Sequence, residues 1–174
     1  MADSFTSNEP ETGVFSLTQI RHLMRVEFGR AQRYGYPVAC LVLACDGLAQ
    51  LRDRHGYEFR ETVLGEVVRL LHQSSRACDY LGRLMDDRLM AILPHTTKEG
   101  GERAAERMLE AARSLALRSQ GERVPVTLSV GVSHFHDDNT MFFDSLVEAA
   151  EDAMREALAA GGDRYFHRDP GPTT

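Results

Sequence analysis

The eight residues Val38-Ala-Cys-Leu-Val-Leu-Ala-Cys45 constrain the fold of this chain more than any other stretch. They form a continuous apolar run of strand length, without the alternation of a strand half open to water. Such a strand must be covered on both faces, which calls for a sheet with helices on each side.

The flanking periodicities supply those helices. Phe15, Ile20, Leu23, Met24 and Phe28 recur at helical spacing, predicting a helix over 16–34 that Gly35 and Pro37 stop. After the run comes a short helical turn near 47–54. A longer helix follows over 57–75, with Phe59, Val63, Val67, Leu70 and Leu71 inward. Strands near 79–84 and 88–94 form a hairpin that Pro94 ends, and a helix then runs to about 117. The stretch Val-Pro-Val-Thr-Leu-Ser-Val-Gly-Val-Ser-His-Phe, 124–135, is a strand by its alternation. A last helix over 141–160 stops at Gly161-Gly162, and Arg-Tyr-Phe-His-Arg, 164–168, is a final edge strand. This order gives a single α/β domain over 13–168, with a central, mixed, mostly antiparallel five-stranded sheet flanked by helices. Residues 1–12 and 169–174 are polar, carry prolines and are read as flexible ends.

At 43% hydrophobic and 26% charged, the 174-residue composition suits one globular domain with a proper core and excludes disorder of the whole chain. A net charge of −6 argues against a protein that coats nucleic acid. Basic charge is nearly all arginine, and Lys98 is the only lysine. Cys40, Cys45 and Cys78 lack CxxC spacing and are read as reduced, buried thiols. No run reaches the ~18 apolar residues of a membrane span, and the N-terminus has no basic-then-apolar signal pattern. The expectation is a cytoplasmic chain without a membrane partner.

The hairpin turn is the oddity. Met85-Asp86-Asp87-Arg88 puts two acids and no glycine at a bend where glycine is easiest. The acids are either metal ligands or turn-formers.

Several matches in order bear on that choice. Thr12-Gly13-Val14, "VEFGRAQRYGYPVACLVLACDGL", His55-Gly56-Tyr57, "ILPHT" and "VTLSVGVS" lie along the chain from about Glu11 to Tyr165. Together they resemble the GGDEF domain of diguanylate cyclases, which condense two GTP into cyclic di-GMP. The resemblance implies a GGDEF, nucleotidyl-cyclase-like fold, but not the activity. The family's first metal aspartate falls on Ala44, and its signature on Met85-Asp86-Asp87-Arg88-Leu89. Asp87 keeps one carboxylate. Arg88 replaces the next, and its charge repels the metals that phosphoryl transfer needs. The phosphate-side lysines fall on Ala49 and Leu158, and a further arginine on Gly162. Of the guanine-reading pair, one position is Arg52 and the other Glu61. Asp46, two residues beyond Ala44, is the one candidate to replace the lost carboxylate. Asp46, Glu61 and Asp87 are therefore read as a vestigial active site. The expectation is no catalysis, no cofactor and no metal, with Asp86 and Asp87 as turn-formers.

The resemblance also implies a second site. Many of these cyclases carry R-x-x-D just before the signature, an inhibitory site that binds cyclic di-GMP. Here Arg76-Ala77-Cys78-Asp79 sets Asp79 six positions before Met85, and Arg107, thirteen residues after Pro94, falls where the site's second arginine stands. An arginine fork can donate to guanine O6 and N7, and a carboxylate can accept from N1–H and the amine. Against this, Arg83-Leu84-Met85-Asp86 fits the same short pattern, and Arg76 with Asp79 also reads as a plain surface ion pair. The sequence therefore leads to a cyclic di-GMP receptor acting through Arg76, Asp79 and Arg107. Its output would be contact with another protein or ligand-bridged dimerisation. Its rivals are a residual cyclase or GTP binder, and a protein-interaction domain that ignores nucleotide.

Two further features read as surface. His134 and His136 alternate at a strand end beside Asp137 and Asp138, but lack a third fixed ligand. Glu148, Glu151, Asp152 and Glu156 look like the solvated face of the last helix.

Overall fold

The computed structural model describes residues 14–135 and 142–171. The lead-in 1–12, Thr12-Gly13, His136, Asp137, Asp138, Met141 and the tail beyond 171 lie outside the described residues.

Eight-residue β1 (Val38–Cys45) is central, as its unbroken hydrophobicity requires. The sheet order is β2 (Tyr80–Arg83), β3 (Leu89–Pro94), β1, β6 (Leu128–Phe135), β7 (Arg164–His167). All pairs are antiparallel except β6 with β7. Successive β1 side chains go to opposite faces. Ala39, Leu41 and Leu43 join one buried cluster, with α3 (Tyr57–Ser74) and α4 (Lys98–Arg113) above them. Val38, Cys40 and Val42 join the other, under α1 (Leu17–Tyr34) and α5 (Phe143–Ala159). Short α2 (Leu48–His55) buries no residue and packs on α3.

Local chemistry fixes the ends. Ser16 and Gln19 form a capping box on α1, Gly35 closes it in the left-handed region, and Thr97 caps α4. Gly131 lets α5 lie directly on β6, since a Cβ there would strike the carbonyl of Ala150.

Three expectations change. The helix expected to reach 117 ends at Arg113, because Ser114 caps it and the chain turns into a small hairpin, β4 (Arg118–Ser119) with β5 (Glu122–Arg123). Its apolar residues Leu115 and Leu117 still pack on the core, which is why the periodicity reads on past the true end. The strand expected from 124 begins at Leu128. Only Cys40 of the thiols is buried; Cys45 is partly so and Cys78 is exposed, because it sits in the turn before β2. Burial pushes the Cys40 and Cys45 thiols up to about 12.

Candidate functional site: two arginine-rich regions

The β2–β3 turn holds the first region. Arg88 N–H donates to Met85 O at 3.4 Å, and Leu84 N–H to Arg88 O at 2.7 Å. Asp86 (φ 59°, ψ 36°) and Asp87 (φ 60°) both take the left-handed conformation that a two-residue hairpin turn demands. Aspartate tolerates it better than most residues.

Carboxylates and arginines in this region satisfy one another. Arg60, on α3, reaches Glu61 at 2.5 Å and also bonds to Asp87. Its side chain is only 16% exposed. Burial alone would lower its pKa, but the charge of Asp87, with that of Glu61, outweighs this and holds it above the ordinary value. Arg88 pairs with Glu151 of α5 at 3.3 Å, both about one-fifth exposed. Glu151 is drawn partly inward from the solvated face expected of it, while its other oxygen still meets exposed Arg155 at 3.3 Å; on that face Asp152 pairs with Arg155 and Arg168, and Glu156 with Arg168. Asp46 lies just past β1. It accepts from Thr127 Oγ1 at 2.8 Å, Ser129 Oγ at 2.6 Å and the Asp163 N–H at 2.9 Å. Gly162 is needed beside it, since a Cβ there would lie 2.6 Å from the carboxylate. Asp46 thus ties the ends of β1 and β6 to the start of β7. Arg52 bonds its neighbour Asp53, and Leu158 is exposed.

The second region precedes β2. Arg76 N–H donates to Asp79 Oδ2 at 2.8 Å, and Asp79 N–H returns to Arg76 O at 3.0 Å. This reciprocal pair closes the turn through the backbone and leaves the guanidinium outside it. The Arg83–Asp86 repeat of the pattern makes no such pair among the described residues. Arg107 stands on the exposed face of α4, whose buried side is Ala104, Ala105 and Met108. No hydrogen bond or ion pair reaches the guanidinium of Arg76 or Arg107 among the described residues. The structure therefore brings Arg76 and Asp79 together, and holds Arg107 on a different element without a bond to either.

Sequence reasoning missed Arg60, although an arginine beside Glu61 was visible. It also missed Glu151 as the partner of Arg88, because the two are far apart in sequence and meet only through the sheet.

Comparison with known proteins agrees with this architecture. The family described as diguanylate cyclase, GGDEF domain, matches residues 9–164. The chain belongs to the GGDEF domain family. It is similar to diguanylate cyclase DgcP of Pseudomonas aeruginosa, 26% identical over 156 residues, covering 90% of this chain and 23% of that protein. It is also similar to diguanylate cyclase DosC of Escherichia coli, 24% identical over 163 residues, covering 88% of this chain and 35% of that protein. The chain thus spans about a quarter to a third of these relatives. Among solved structures, diguanylate cyclase SiaD with its activator SiaC from P. aeruginosa superposes with a TM-score of 0.83 at 28% identity, over 91% of this chain and 60% of that one. The GGDEF domain of DgcB from Caulobacter crescentus, in complex with c-di-GMP, superposes with a TM-score of 0.83 at 16% identity, covering 98% of each chain. The five-stranded sheet with one parallel pair is the GGDEF fold. No helix among the described residues is long and apolar enough to cross a membrane.

Proposed function

We propose that this chain is a GGDEF domain that no longer makes cyclic di-GMP but binds it through Arg76, Asp79 and Arg107. The observation that carries the reading is the opposite pairing of the two regions. Around the turn, Arg60 pairs with both Glu61 and Asp87, Arg88 pairs with Glu151, and Asp46 is held by three donors. Two GTP-bound metal ions would need those carboxylates free of cations. Arg76 at the R-x-x-D turn and Arg107 on the exposed face of α4 each keep a guanidinium without a protein partner among the described residues. That is the state suited to taking guanine edges and phosphodiester oxygens. No catalytic metal is expected at Asp46, Glu61 or Asp87.

The output would be a changed contact with a second protein or a second copy of the chain, in the cytoplasm. A solved relative held by an activator protein, and another holding c-di-GMP, support that class of partner. Because the curated relatives are cyclases, a residual cyclase is the competing reading. Its remaining asset is Asp87.

Calorimetric titration of the chain with cyclic di-GMP tests the receptor. Saturable binding at micromolar or tighter affinity is expected. Arg76→Ala and Asp79→Ala should each weaken it by roughly tenfold to a hundredfold, the range for a lost charged hydrogen bond. An absence of heat would instead favour a protein-interaction domain that ignores nucleotide. Incubation with GTP and magnesium or manganese should yield no cyclic di-GMP. Product that disappears in Asp87→Ala would contradict the reading.

A further inference from the structure

The described residues hold a third cluster, far in sequence from both regions above. His134 is the penultimate residue of β6, and His167 ends β7, which runs parallel beside it. The register sets Val132 opposite His167, and Arg168 N–H continues the ladder to Val132 O at 2.9 Å. The chain then curls so that Asp169 faces both rings. His134 Nδ1 lies 2.9 Å from His167 Nε2, while Asp169 Oδ1 lies 3.5 Å from the first and 3.6 Å from the second. The histidine side chains are 20% and 10% exposed, and Asp169 covers them from the solvent side at 72%.

We propose that His134 Nδ1, His167 Nε2 and Asp169 Oδ1 form a binding site for a divalent transition-metal ion, zinc foremost, with one position left for water. Geometry carries the proposal. Ligand atoms at 2.0–2.1 Å around tetrahedral zinc are about 3.3 Å apart, so any three lie on a circle of roughly 1.9 Å radius. The three atoms here lie on a circle of about 1.9 Å radius. An ion just off their plane meets all three at bonding distance without moving the backbone. Two imidazoles and one carboxylate suit zinc, nickel, copper or cobalt, and suit magnesium or calcium poorly. Glu99 and Glu102 of α4 act electrostatically on His134 and His167 respectively, adding negative potential, and Lys98 opposes them.

This set differs from the one the sequence offered. His136, Asp137 and Asp138 follow His134 after Phe135, but the partners that converge on it are the last residue of β7 and Asp169 just beyond that strand, more than thirty residues on. The ion would clip a four-residue edge strand, hydrogen-bonded within the sheet to β6 alone, and the segment after it onto the sheet. The site is independent of the cyclic di-GMP reading, and neither stands or falls with the other.

Titration of the chain with zinc chloride, with Cys78 alkylated beforehand, tests it. One ion per chain is expected, with a rise in Tm that grows with zinc concentration. Cobalt(II) should give a visible spectrum without thiolate charge-transfer bands. His167→Ala should weaken zinc binding at least a hundredfold. Asp169→Ala, an exposed change that leaves the fold intact, should weaken it about tenfold. Zinc binding unchanged in both variants would overturn the proposal. So would the absence of saturable one-to-one binding up to about 100 μM zinc, far weaker than a three-ligand site should allow.

Discussion

Two regions of this molecule carry the same residue types and differ only in whether the charges have met. Around the β2–β3 turn, Arg60 and Arg88 are each about four-fifths buried at the side chain and paired with Glu61, Asp87 and Glu151. At the R-x-x-D turn Arg76 is exposed, as is Arg107 on α4, and Asp79 bonds the backbone of Arg76 rather than its guanidinium. A guanidinium already bonded to carboxylates must lose them before it greets a ligand. One left outside a closed turn forfeits only hydration and rotamer freedom. The residues that would bind a nucleotide are thus told apart by their pairing rather than by their identity.

Charge reversal at the open region should have the largest effect. Arg76→Glu sets a second carboxylate beside Asp79, and binding of cyclic di-GMP should fall more than a hundredfold, roughly 3 kcal/mol, with secondary structure unchanged by circular dichroism. Retained affinity would break the comparison at its open end.

The next effect falls on stability. Asp46→Ala removes three hydrogen bonds to a charged acceptor and leaves the hydroxyls of Thr127 and Ser129 unmatched. Unfolding in urea should lose about 2–4 kcal/mol, with cyclic di-GMP affinity unaltered. A loss of nucleotide binding without a loss of stability would return Asp46 to a ligand site.

Arg107→Ala sharpens the open region further. A single exposed arginine from a second element should contribute roughly tenfold in affinity, and nothing measurable to stability. Equal affinity in the variant would reduce the site to its turn. The smallest change is expected at Asp86→Gly. Glycine relieves the left-handed backbone at φ 59°, and Tm should rise by an amount worth under about 1 kcal/mol.

The frame of this fold was legible because hydrophobic pattern and turn chemistry agree. The double-sided burial of β1 follows from a run with no polar residue. The stop of α1 follows from Gly35, which closes it in the left-handed region. The left-handed pair in the turn fits two aspartates with no better residue available. What was illegible needed distance. Arg88 with Glu151, Asp46 with Ser129, and His134 with His167 join positions 33 to 83 residues apart. Nothing in local periodicity links such residues, because only the sheet order and the packing of α5 across it bring them together. The end of α4 was misjudged for a related reason: Leu115 and Leu117 continue an apolar rhythm in the core after the helix has stopped.

Paired titrations of the unmodified chain with cyclic di-GMP and with GTP–magnesium, followed by calorimetry under one buffer, test the central claim most directly. Cyclic di-GMP should bind at micromolar or tighter affinity, and GTP at least a hundredfold more weakly, a gap of about 2.7 kcal/mol. Comparable binding of GTP, or conversion of GTP to cyclic di-GMP during the titration, would contradict it.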